Sequence, residues 1–170
     1  YLPATMPKDE IKKVAEAKKA ELNVTDKSGM GKLIGAIAKE LSQRIAATEK
    51  DLAASGSADA KAVLKQLALA RAAFDQAVAY IVANAKTDIK AVYAGSFAYL
   101  RLSGLVLGGW QMARALLAAE RLRDGDPSFY DAKIATARFF AENLMPQAQA
   151  LATSIVESGH STNALEVEQF

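Results

Sequence analysis

Several residue types are scarce in this chain, and each scarcity closes off a class of chemistry. There is no cysteine, so neither a disulfide framework nor a thiolate metal site can form, in keeping with a reducing cytoplasm. There is one histidine, His160, in a polar tail behind Gly159. It reads as a solvated surface residue. Glu157 and His160 have the Glu-x-x-His spacing of di-iron bundles, but such a site needs a second inward-facing copy, and no second copy exists. Serines and threonines occur without a histidine–acid set, so no nucleophile triad is supported. Charge of one sign is also missing: 21 Lys and Arg stand against 19 Asp and Glu, interspersed, for a net charge of +2. Without a basic stripe there is no case for nucleic acid as a partner. The longest apolar run, from Leu102 to Ala119, contains Gln111 and Arg114 and is closed by Arg101 and Glu120, so it does not read as a membrane span. No charged-then-apolar leader opens the chain, and its first residue, Tyr1, reads as a processed or excised start.

What is abundant is alanine and a helical rhythm. The hydrophobic content is 51% over 170 residues, which suits one domain with a core. Residues 1–7 read as an irregular lead-in, and Lys8 to Leu22 as a short charged helix with Ile11, Val14 and Ala15 on its apolar side. From Met30 to Ala54, Leu33, Ile37, Leu41, Ile45 and Leu52 recur at helical spacing, behind Ser28 as a cap. Gly56 and Ser57 then end one helix and cap the next, whose stripe is Val63, Leu67, Ala70, Phe74, Val78 and Ile81. Asp124-Gly125-Asp126-Pro127 is the clearest helix stop and start. After it, Tyr130, Ile134, Ala137, Ala141, Leu144, Ala148, Leu151 and Ile155 form a heptad-like seam up to about Ser158, with a kink expected at Pro146. The predicted fold is all-α: an antiparallel up-down four-helix bundle over 28–158, preceded by a lead-in and short helix over 1–27 and followed by a loose tail over 159–170.

The chain is organised around the segment from Ala91 to Arg123, read as one long helix capped by Thr87 or Asp88. On a helical wheel, Val92, Tyr99, Leu102, Val106, Ala113 and Leu117 gather on one side with Gly95 and Gly109. The opposite side should be charged if it meets water. Instead it shows Phe97, Gly104, Gly108, Gln111 and Ala115, with Arg101 as its main charge and Arg114 and Arg121 on a narrower strip. A helix that is apolar on two sides has neighbours on two sides. The second neighbour is either the N-terminal segment of the same chain or a separate body. Phe139, opposite the seam of the last helix, is a second apolar residue without an internal partner. These six residues, Phe97, Gly104, Gly108, Gln111, Ala115 and Phe139, form the candidate interface.

No residues are assigned to catalysis, metal or cofactor binding. Gly29-Met30-Gly31-Lys32 lacks the spacing and preceding strand of a phosphate loop and reads as a helix start. Arg101, Arg114, Arg121 and Arg123 could bind an anion but read as solvated, or as partners of Glu120 and Asp124. Phe129, Tyr130, Phe139 and Phe140 could form a ligand cage, yet at helical spacing they read as core, Phe139 excepted.

The run from Gly95 to Leu122, followed by the run from Asp126 to Leu151, resembles the C-terminal domain of the longer acyl-CoA dehydrogenases of the methylmercaptopropionyl-CoA dehydrogenase type. The matching features are Tyr99, Leu100, Gly108-Gly109-Trp110, Ala113, the Tyr130-x-x-Lys133 pair, Ala135 through Phe140, and Pro146. They cover the second half of the chain; the first half agrees in helical pattern and alanine richness. The resemblance implies a parent enzyme that binds FAD and removes hydrogen across the α,β bond of an acyl-CoA thioester, using a glutamate in a Tyr-Glu-Gly-Thr loop. That loop does not occur here. Tyr93-Ala94-Gly95-Ser96 lacks the acid, and Glu120, Glu142 and Glu157 do not stand in for it. The implied role is a non-catalytic structural or assembly domain. Its partners would be the upstream dehydrogenase domains of the same chain, or another copy in a homo-oligomer. A free-standing interaction protein such as a phasin-like coat fits the alanine-rich amphipathic helices as well, and a bundle holding a small molecule in its interior is a third reading.

Overall fold

A computed structural model describes residues 8–24, 29–165 and 167–169. The chain is all-helical, and no strand occurs among the described residues. In chain order the helices are α1 (Lys8–Glu21), α2 (Met30–Ser55), α3 (Ala58–Asn84), α4 (Ile89–Ala94), α5 (Ser96–Leu122), α6 (Pro127–Asn143), α7 (Gln147–Glu157) and α8 (Gly159–Thr162). Residues 1–7, and Ser28 as an expected cap, lie outside the described residues. So do the side chains of Ile11, Val14 and Ala15.

The joints follow from local chemistry. Gly56 ends α2 in the left-handed region, at φ 69°, where glycine carries no Cβ penalty. The Ser57 hydroxyl then accepts from the Ala60 amide at 2.9 Å and caps α3. The Asp126 carboxylate accepts from the Phe129 amide at 3.1 Å, and Pro127 fills the first position of α6.

Two expected helices are each broken in two. The segment expected as one helix from Ala91 to Arg123 starts earlier, at Ile89, with Asp88 as its cap, and is interrupted at Gly95. Gly95 is buried where α7 passes close by: a Cβ there would lie 3.3 Å from Ile155 Cγ2 and 3.4 Å from its Cα. The segment expected to kink at Pro146 stops at Asn143 and resumes at Gln147. Pro146 has no amide to donate to Glu142, and its ring would strike that carbonyl. The flanking amides re-pair instead, Met145 to the Phe140 carbonyl at 3.2 Å and Gln147 to the Leu144 carbonyl at 3.2 Å. The segment from Gly159, expected to be loose, begins with α8, and Gly159 is buried.

Named pairs fix how the helices run. Ser42 donates to Asp75 at 2.9 Å, and Arg71 holds Glu49 through two hydrogen bonds of 2.8 and 2.9 Å, so α2 and α3 are antiparallel. Ser57 reaches Glu120, and the Phe74 and Tyr99 rings stack at 6.0 Å, so α3 and α5 are antiparallel. Gly95 beside Ile155 and Gly109 beside Met145 make α5 and α7 antiparallel. The helices α3 and α5 pack against each other and against both α2 and the α6–α7 pair, whereas α2 has no substantial packing against α6 or α7. The core therefore lies along the α3–α5 spine, where Leu67, Leu102, Val106 and Leu116 are fully buried with Ile45 from α2 and Met145 from the α6–α7 joint.

Candidate interaction surface

The buried face of α5 is Leu102, Val106, Gly109, Ala113, Leu116 and Ala119. At 100° per residue the opposite face is centred about 190° away, and no other described helix covers it. Phe97 is 71% exposed, Leu100 69%, Leu107 40% and Leu122 52%. Between them Gly104, Gln111 and Ala115 are exposed too. A Cβ added at Gly104 would meet nothing within 4 Å. These positions share a stripe about 80° wide, and the helix that carries it is about 40 Å long at 1.5 Å per residue. The helix α1, expected as one cover for this face, has no substantial packing against α5. By the same measure it packs substantially on no other helix either, and it touches α2 through Lys18, which pairs with Glu40 at 3.3 Å. The Glu40 carboxyl, bonded first by Arg44 and then by Lys18, is held below its ordinary range.

The six expected interface residues do not all fall together. Phe97, Gly104, Gln111 and Ala115 lie on the open stripe. Gly108 does not: a Cβ there would stand 2.9 Å from Phe140 Cζ, so α6 already uses this approach. Successive steps of four rotate a helix position by about 40° each, enough to carry position 108 off the stripe and under α6. Phe139 is 60% exposed but sits elsewhere, on α6, in a recess of about 410 Å³ beside the Arg123–Asp131 and Arg138–Asp59 ion pairs. The sequence reading missed Leu100, Leu107 and Leu122, although their three-and-four spacing from Gly104 was the available signal.

At its C-terminal half the stripe borders an open groove of about 1440 Å³ between α5 and α2, where Gln111 and Ala115 face Thr48, Asp51 and Ser55. Its floor is fixed by polar contacts. The Trp110 indole donates to the Thr48 hydroxyl at 2.8 Å, and Arg114 lies over the Trp110 ring at 5.5 Å while bonding Gln111 at 3.0 Å. Glu120 is held by the hydroxyls of Ser55 at 2.7 Å and Ser57 at 2.6 Å. This accounts for the only acid on α5.

His160 is exposed. Among the described residues, no group of three or more His, Asp and Glu could hold a metal ion. Among the described residues, no buried side-chain nitrogen or oxygen lacks a partner. Gly29, at the head of the Gly29–Lys32 run, packs on Val24, 8% exposed.

Residues 9–166 match the family described as "Acetyl-CoA dehydrogenase C-terminal like". The chain belongs to this family. As a C-terminal acyl-CoA dehydrogenase domain it is also 39% identical, over 129 residues, to 3-methylmercaptopropionyl-CoA dehydrogenase of Ruegeria pomeroyi, a match covering 75% of this chain and 22% of that protein. The chain thus spans less than a quarter of the length of this curated relative. No solved structure matches it. Seen as a dehydrogenase C-terminal domain, the chain has a coherent interior and one long helix face that its described elements leave open. No described helix is long and apolar enough to cross a membrane.

Proposed function

We propose that this chain is a non-catalytic structural and assembly domain of an FAD-dependent acyl-CoA dehydrogenase, and that the open face of α5 seats it on the catalytic portion of that enzyme. The catalytic portion would bind the flavin and dehydrogenate an acyl-CoA thioester. The observation that carries this reading is the stripe from Phe97 to Leu122, apolar and uncovered on a central helix of a chain that spans 22% of its relative's length. With α6 and α7 taken as one broken rod, the up-down four-helix bundle describes the arrangement, and the stripe lies along one outer edge of it.

The test has two arms. Purified alone, the chain is expected to show no flavin absorbance and to turn over no acyl-CoA with an artificial electron acceptor. Grafted in place of the matching segment of the Ruegeria enzyme, it is expected to restore the assembly and flavin retention that deleting the segment removes. A flavin band or turnover in the chain alone, or a graft no better than the deletion, would overturn the proposal.

A further inference from the structure

The arginines of this chain divide into two groups. Arg44 meets Glu40 at 2.8 Å, Arg71 meets Glu49 at 2.8 Å, Arg123 meets Asp131 at 2.7 Å and Arg138 meets Asp59 at 2.9 Å. Arg101, Arg114 and Arg121 meet no carboxylate among the described residues. Arg101 has a long 3.4 Å contact with Gln147, and Arg114 bonds Gln111. All three unpaired arginines are exposed, and all three stand on α5. At 100° per residue, Arg114 and Arg121 border one edge of the apolar stripe and Arg101 the other.

We infer that the α5 stripe is a docking surface for an apolar protein helix flanked on both sides by carboxylates. The inference rests on the reading above in placing that helix on the dehydrogenase's catalytic portion. The apolar centre, Phe97, Leu100, Leu107 and Leu122, supplies buried area. Gly104 and Ala115 keep the middle shallow, so that a second helix axis can come close. Arginine is suited to the rims because its planar fork takes a carboxylate with two parallel hydrogen bonds. A second copy of this chain fits poorly. Set antiparallel, each rim faces its own equivalent; set parallel, the Arg114–Arg121 rim faces the Arg101 rim. In neither arrangement do the rims of α5 offer an arginine a carboxylate, since Glu120, the only acid on α5, is held by Ser55 and Ser57. An anionic bilayer would satisfy the arginines, but it gains nothing from a stripe hollowed by Gly104 and Ala115.

The experiment titrates the chain with a synthetic amphipathic helix bearing a Leu/Ala seam and glutamates on both flanks, and with a twin bearing lysines there. Trp110, beneath Arg114, provides the fluorescence readout. The glutamate peptide is expected to bind, and to lose about tenfold or more in affinity between low and high salt. The lysine twin should not bind. Joint replacement Arg114→Gln and Arg121→Gln should weaken binding by about tenfold and flatten its salt dependence. Leu100→Glu should abolish it, and circular dichroism melts of all variants should match the parent. Equal binding of the two peptides would overturn the inference. So would co-sedimentation of the chain with phosphatidylglycerol vesicles, or a dimer in solution that Leu100→Glu converts to monomer. The graft separates the two claims. A working graft indifferent to the arginine replacements overturns the carboxylate-flanked partner alone. Glutamate-specific peptide binding beside a failed graft overturns the dehydrogenase role alone.

Discussion

The glycines of α5 offer a graded test of which surfaces are closed, because one substitution meets three different surroundings within six residues. Gly104→Ala adds a methyl group with no heavy atom within 4 Å. In a helix interior alanine is favoured over glycine by about 1 kcal/mol, and nothing offsets it here. A gain of that size corresponds to about 2–4 °C in Tm for a chain of this length. At Gly109 the same methyl would lie 2.6 Å from Met145 Sδ and 2.8 Å from its Cε. Met145 is a flexible side chain but only 1% exposed, so moving it disturbs a filled core at about 1–3 kcal/mol. Set against the same propensity gain, the net change is a loss of about 0–2 kcal/mol. Gly108 lies between: its methyl meets Phe140 Cζ at 2.9 Å, and a long side chain such as that of Gly108→Arg must displace the ring. Urea unfolding followed by circular dichroism should therefore rank Gly104→Ala above the parent, with Gly109→Ala and Gly108→Arg below it. A destabilised Gly104→Ala would mean that the α5 face is occupied in the isolated chain. A stabilised Gly109→Ala would mean that α5 and α7 do not approach as described.

Three further outcomes follow from the contacts. Thr48→Val leaves the Trp110 indole without its acceptor; a loss of about 1–2 kcal/mol with a shifted tryptophan emission is expected, and unchanged emission would contradict the bond. Pro146→Ala should change stability by no more than about 1–2 kcal/mol in either direction, since a regained hydrogen bond competes with the existing joint; collapse of helical circular dichroism would contradict this. Burial raises the Tyr99 phenol above its ordinary 10.0, so the folded state holds this proton more tightly than the unfolded one. Its contribution is complete below pH 10.0 and declines as pH rises through the raised folded value. Tyr99→Phe should flatten the alkaline fall in urea midpoint, and an identical fall in both proteins would refute the assignment.

Most helix boundaries could be read from the chain because their signals are local. Gly56-Ser57 and Asp126-Pro127 announce their caps within four residues, and long-range packing does not alter them. The break at Gly95 could not be read this way, because its cause, the passage of Ile155, lies sixty residues along the chain. Pro146 was visible, but whether a proline bends or divides a helix depends on how the neighbouring carbonyls re-pair. The candidate surface was half legible. A wheel shows that α5 is apolar on two sides, but it does not reveal that Phe140 already occupies the approach at Gly108. Nor does a list of arginines reveal which have found a carboxylate, since Arg138 reaches Asp59 across seventy-nine positions.

The burial of Gly159 makes α8 a clasp. A side chain at that position would meet Ala91 Cβ at 2.7 Å and the Tyr80 hydroxyl at 3.3 Å, so this short turn closes over the place where α3, α4 and α7 come together. Thr162 bonds the Ser158 carbonyl at 2.9 Å and Asn163 bonds the Gly159 carbonyl at 2.7 Å, which latch the turn shut. A cut at Asn163 would therefore loosen this turn, release α4 and wet Tyr80, so that damage there is felt first at the entrance to the central helix.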